Sequence, residues 1–245
     1  PRHGSVIMTD RAGGCYVYIP DSGFSGRDSF SYTVRDKWGE RADDAATVSV
    51  TVSRRASGEG FADMEGSVFE STALRVSAAG IMGGTEVGGK NYFYPSQTVS
   101  RSEFLVMAMT AAGIKDLPAC DVTVFADDGD IPASAKPYIG AAYTLGVCDG
   151  WINDGKQCFL PDEPITVAEA AMLSAGLLEI RTDGAAEAWA DSDGVPAWAA
   201  SGFGTMRAAG FVGAGFGGSA RSKLDRERCS ELLAAIMRYA ASGKK

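Results

Sequence analysis

A chain of 245 residues, 45% hydrophobic and 22% charged, holds enough apolar material for one large domain or several small ones. Its net charge of −8 argues against nucleic acid, which needs a basic stripe, and against an anionic membrane surface, so an anionic ligand must meet a local basic pocket. No apolar run reaches the roughly 18 residues of a membrane helix, and a single histidine, His3, with five cysteines lacking CxxC spacing, leaves no Cys/His zinc site to assemble.

Residues 1–53 read as strands. "CYVYI" at 15–19, "SFSYTV" at 29–34 and "TVSVTV" at 47–52 alternate by two, with Phe30, Tyr32 and Val34 on one face and Val48, Val50 and Val52 likewise, separated by the turn clusters "PDSGFSG" and "DKWGE". Three or four strands fall short of the roughly seven of a sandwich. The run from "PRHGSV" through "GCYVYIPDSGFSGRDSFSYTVRDKWGE" to "ATVSVTV" resembles the second half of the bacterial Ig-like or cadherin-like repeats of surface proteins. That resemblance implies a partial antiparallel β-sandwich whose earlier strands come from a longer polypeptide or from another chain.

After the linker "RRASGEG" at 54–60 the pattern becomes helical and repeats. "FADMEG" at Phe61, "FADDGD" at Phe125 and "WADSDG" at Trp189 stand 64 residues apart, dividing the rest into units at 61–120, 121–184 and 185–241. Each runs through an Ala-rich helix, a Gly-flanked turn, a short loop and a second helix opened by "VSRSEF", "ITVAEA" or "LDRERC". In the first of these, Phe104, Met107, Ala108 and Ala111 form one stripe at helical spacing. A helix pair of this size cannot cover its own apolar face, so the three are expected to pack around a pseudo-threefold axis with clefts between neighbours.

Ser100 and Glu103 have capping-box spacing, as do Thr166 and Glu169. Arg101 then falls at the first helical position, where the macrodipole disfavours a cation. On spacing alone the two glutamates are cap members, Asp63, Asp127 and Asp191 are helix caps, and a lone Arg101 is a solvated surface residue. Recurrence of the arginine at Arg226 favours a functional role. Cys148 and Cys158 flank "CDGWINDGKQC", a loop of a size that a disulfide closes easily.

The ordered run F-x-D, A-x-x-x-G-I-x-x-G, F-x-P, V-S/T-R-x-E-F resembles the S-layer homology domain, three of which in tandem is that family's usual arrangement; the first copy matches at Phe61, Asp63, Gly80, Ile81, Gly83, Tyr94, Pro95, Ser100, Arg101, Glu103 and Phe104. The resemblance implies an all-α pseudo-threefold arrangement of three helical hairpins behind the partial β-sandwich. It also implies a function: noncovalent anchoring of a secreted surface protein to the bacterial cell wall, outside the cell. The ligand would be an anionic secondary polysaccharide, often carrying pyruvate ketals, or peptidoglycan directly, and copies of the chain could meet in a surface layer.

In that reading Arg101 is a carboxylate clamp beside the free amides of a helix start, with Ser100 and Glu103 at the same start and Gly83 letting a sugar approach the backbone. Lys90, Tyr92 and Trp151, in the loops before the second helices, could add a cation or a stacking face. The second copy has Val167 where the first has Arg101, and the third has Arg226 but places Arg228 and Cys229 where Glu and Phe are expected. The Arg101 groove therefore ranks first, Arg226 second and Val167 as degenerate. Nothing marks a catalyst or a cofactor: the "DDGD" and "DSDG" clusters lack the calcium loop with its terminal Glu, no phosphate loop or dinucleotide fingerprint occurs, and a paired-carboxylate glycosidase is the enzyme alternative.

Overall fold

The computed structural model describes residues 1–10, 15–20, 24, 26–35, 40, 42–52, 60–114, 117–180, 194–211 and 219–242. The linker at 54–59, the "DKWGE" turn except Glu40, the Cys15 side chain, and Trp189 and Asp191 of the third "WADSDG" lie outside them. The chain divides into two compact units, Pro1–Gly60 and Phe61–Lys245.

In the first unit β1 (Gly4–Asp10) pairs antiparallel with β2 (Cys15–Pro20), and β3 (Gly26–Tyr32) pairs antiparallel with β4 (Ala46–Val52). Alternation of β-branched and aromatic residues drives both ladders. They remain separate two-stranded sheets, so the expected sandwich does not form. The reason is visible in burial: Val48, Val50 and Val52 are only half-buried, Tyr32 and Val34 are exposed, and Asp28 is the one buried residue among those described here. The Asp28 carboxylate joins the ladders by accepting from the amides of Arg2 (3.0 Å), His3 (2.8 Å) and Ser29 (2.8 Å) and from the Tyr18 hydroxyl (2.9 Å). These donors hold the carboxyl well below its ordinary range, the Arg2 amide foremost.

The second unit holds six helices among the described residues: α1 (Glu70–Ala78), α2 (Arg101–Ala111), α3 (Lys136–Thr144), α4 (Val167–Leu177), α5 (Ala200–Ala208) and α6 (Arg226–Ala241). It is not all-α. Two hairpins, β5 (Thr85–Val87) with β6 (Lys90–Tyr92) and β7 (Trp151–Asn153) with β8 (Lys156–Cys158), stand in the stretches expected to be loops. Their turns place Gly88, Gly89, Asp154 and Gly155 at positive φ, the conformation that two-residue hairpin turns require. The unit is therefore mixed, with helices and small sheets alternating. Helix α2 buries Leu105 and Met109 as well as Phe104, Ala108 and Ala111, because it packs against α3, α4 and α6 together and its apolar surface exceeds a single stripe.

Three segments close the unit into a ring. The Val99 amide donates to the Leu224 carbonyl (3.0 Å), Leu224 to Ile165 (2.8 Å) and Ile165 to Val99 (2.9 Å), with all three side chains buried. Flanking bridges Thr98–Asp225, Ser100–Pro164 and Thr166–Lys223 extend this cycle.

Candidate functional site

The ring sets the start of each second helix against the loop of another repeat. Arg101 donates its amide to the Glu163 carbonyl (3.0 Å) and Ser102 to Pro161 (3.1 Å); Val167 and Ala168 donate to Ser222 (3.0 Å) and Ala220 (2.9 Å); Arg226 and Glu227 donate to Gln97 (2.9 Å) and Pro95 (3.1 Å). The third amide of each helix goes to its cap: Glu103 to Ser100 Oγ, Glu169 to Thr166 Oγ1 and Arg228 to Asp225 Oδ1. Both capping boxes expected from spacing are present. The free amides expected at these helix starts are not, since carbonyls of the adjoining repeat fill the first two positions that sequence alone leaves open.

At the first junction Arg101 Nη2 donates to Glu169 Oε1 at 2.7 Å, and the guanidinium lies 3.9 Å from the Trp151 ring centroid. Glu169 is fixed from behind, its Oε2 accepting from the Thr166 amide (2.7 Å) and hydroxyl (2.9 Å). Arg101 Nε and Nη1 are buried without a hydrogen-bond partner. The arginine that the macrodipole disfavours is thus compensated from inside the protein, by a carboxylate and an aromatic face of the second repeat.

The junction at α6 differs. Arg226 Nε donates to the Phe93 carbonyl at 2.7 Å and Nη2 to the Gly83 carbonyl at 2.6 Å, with the guanidinium 4.7 Å from the Phe93 ring centroid. Both acceptors are neutral, and among the described residues no carboxylate pairs with this cation. Glu103 and Asp63 act on it only through space, and burial pulls the guanidinium below its usual value without discharging it. Beside it a cleft of about 790 Å³ is lined by Asp63, Thr85, Tyr94, Pro95, Ser96 and Gln97. Pro95 and Gln97 supply the carbonyls that hold the start of α6, so the cleft and Arg226 share a wall.

Asp63 is not a helix cap. Its carboxylate accepts from the Phe93 and Tyr94 amides, both at 2.7 Å, and Asp127 does the same for Phe159 (2.8 Å) and Leu160 (2.7 Å). The residues that cap the starts of α1 and α3, Phe69 and Ala135, make no side-chain cap bond. The aspartates instead hold Tyr94 (φ 57°) and Leu160 (φ 58°) in left-handed backbone where each hairpin turns toward its second helix. Tyr94, missed as a site candidate, stays exposed on the cleft and stacks on Tyr92 with centroids 6.1 Å apart. Its signal in sequence is an aromatic residue directly after the Phe of F-x-P.

At the third junction Val167 is buried, and Arg228 donates to Asp225 Oδ2 through Nε (2.9 Å) and Nη2 (2.7 Å). The start of α4 is held by Ser222 and Ala220 and bridged to Lys223, just ahead of the start of α6, so the two departures from the repeat pattern, Val167 and Arg228, belong to one junction. Lys90 is exposed at the β5–β6 turn.

The bridge anticipated between Cys148 and Cys158 is absent, and both thiols are free and buried. The β7–β8 register sets Trp151, not Cys148, opposite Cys158, and burial pushes both thiols above their ordinary value. Among the described residues no group of His, Cys, Asp and Glu is arranged to hold a metal ion.

Asp28, pinning two hairpins at the head of the chain, lies in a stretch that a known family model matches. Residues 1–51 match the bacterial Ig domain. No curated protein matches the chain. The bacterial Ig match ends inside β4, so the Arg101 and Arg226 junctions lie wholly outside it.

Proposed function

We propose that residues 61–245 anchor a bacterial surface protein noncovalently to the cell wall, outside the cell, by binding an anionic wall polysaccharide at the Arg226 junction. The observation that carries this reading is the half-buried Arg226 guanidinium, held by two neutral carbonyls and lacking a paired carboxylate among the described residues, near a cleft with an exposed tyrosine. A fixed cation of this kind offers an anion its remaining donors without a competing internal partner. The resemblance of the ordered 61–241 motifs to the S-layer homology domain favours the same class of ligand. The bacterial Ig region at 1–51 then serves as a spacer ahead of the anchor.

The test is co-sedimentation of the full chain with purified wall sacculi, before and after chemical removal of the secondary polysaccharide, for the parent, Arg226→Ala and Arg101→Met. Binding that disappears with the polymer and with Arg226→Ala, while folded Arg101→Met still sediments, is the expected result. Equal binding to stripped sacculi moves the ligand to peptidoglycan and overturns the polysaccharide assignment. Absence of binding under every condition overturns the anchor itself.

A further inference from the structure

We infer that the chain carries one competent glycan site, at the Arg226 cleft, in which Tyr94 is the platform for a sugar ring, and that Glu169 is a built-in carboxylate that keeps Arg101 out of use. This rests on the glycan-binding reading above and adds valency and ring recognition to it.

The three junctions are built alike and closed differently. In one, Val167 replaces the cation. In the second, the Glu169 carboxylate already stands 2.7 Å from Arg101, rigidly held by Thr166, and Trp151 covers a face of the guanidinium. The contact is single, Nη2 to Oε1; Nη2 belongs to both donor edges that a bidentate carboxylate could take, Nε with Nη2 and Nη1 with Nη2, so Glu169 blocks each while Nε and Nη1 stay buried and unpartnered. Glu169 therefore excludes a ligand carboxylate without reproducing all of its bonds. In the third, the equivalent Glu103 is exposed and occupied with the Ser100 amide at 2.9 Å, leaving Arg226 to neutral acceptors.

The Arg226 junction is also the one whose turn residue is aromatic and exposed. Tyr94 and Leu160 share the same left-handed backbone and the same carboxylate brace, yet Tyr94 is 42% exposed on the cleft wall while Leu160 is largely covered. Left-handed backbone at a non-glycine residue is costly, and the Asp63 carboxylate holds the Tyr94 backbone in it through the amide at 2.7 Å. A flat apolar face next to polar groups and a cation suits a pyranose ring bearing one carboxylate. That carboxylate can belong to a uronic acid or to a pyruvate ketal.

Isothermal titration of the full chain with methyl glucuronide and, separately, with a methyl 4,6-O-(1-carboxyethylidene) hexoside separates the two sources. One of them is expected to saturate at one molecule per chain. Tyr94→Asn, whose side chain tolerates the same backbone, is expected to weaken it by about tenfold, Arg226→Lys to weaken it similarly by losing the fork, and Glu169→Gln to add a second, weaker site. Wild-type saturation at two or three, or unchanged affinity in folded Tyr94→Asn, overturns the inference; so does folded Glu169→Gln that still binds only one. If sacculi bind the chain but neither saccharide does, this inference fails and the anchor stands. If sacculi do not bind either, both fail.

Discussion

Arg101 illustrates how much a single residue conceals. Spacing places it at the first position of a helix, and the capping boxes at Ser100–Glu103 and Thr166–Glu169 are legible for the same reason: they are local. Its partner is not legible, because Glu169 lies 68 positions away and sequence gives it a complete role as a cap member. Breaking a buried pair costs more than the pair contributes, since the remaining charge is stranded. Glu169→Ala should therefore destabilise the second unit by about 3–5 kcal/mol, while Arg101→Met, which leaves Glu169 its own cap bonds, should cost clearly less; urea unfolding followed by circular dichroism measures both. Acid behaviour is also set by single residues. Lys136 (2.7 Å), then the Thr123 amide and hydroxyl, lower the Asp128 carboxyl from 3.8 to about 2. Its contribution is whole above pH ~4 and is lost as pH falls toward ~2. Glu227 and Glu231, raised by burial, act in the opposite sense and are relieved as pH falls. Melting temperatures recorded from pH 5 to 2 should fall less steeply in Asp128→Asn than in the parent.

At the scale of elements, the helices were readable and the hairpins were overlooked. "VGGK" and "NDGK" carry turn residues suited to two-residue hairpins, but the flanking strands are three residues each and too short for alternation to register. Asp63 and Asp127 read in sequence as helix caps, yet their partners are amides about thirty residues downstream rather than the next helix. Each accepts two charge-assisted bonds. Asp63→Ala and Asp127→Ala should each cost roughly 1.5–3 kcal/mol, with Asp63→Ala alone also releasing Tyr94 from the cleft wall; thermal melts and tyrosine quenching by acrylamide separate the two effects. Close backbone approach fixes the hairpin base as well. A Cβ on Gly150 would fall 2.5 Å from the Phe125 ring and 2.6 Å from the Cys158 carbonyl, at a φ of 73°. Gly150→Ala should destabilise this repeat through both clash and strain, measured by the same melts.

For the whole molecule, the 64-residue spacing predicts three units and says nothing of how they close. Backbone bonds make the ring of Val99, Leu224 and Ile165, and three unremarkable aliphatic residues give sequence reading nothing to seize on. In the first unit the period-two alternation was legible and its assembly was not, because two ladders with half-buried faces satisfy the same pattern as a sandwich. Since every second helix borrows acceptors from another repeat, no repeat is complete alone. Deleting 185–245 should therefore unfold 61–184 rather than leave two stable repeats, seen as loss of helical circular dichroism and of amide protection throughout.

The same ring governs how a pull is borne. Tension entering at Phe61 reaches helix α1, which packs on α6, the last helix of the unit. The strand segment leading into α2 is stitched to Leu224 and to Ile165, so the first repeat cannot peel away while the other two hold. Unfolding under shear then requires rupture of the whole knot in one event. Whatever this unit grips would let go before the unit itself came apart.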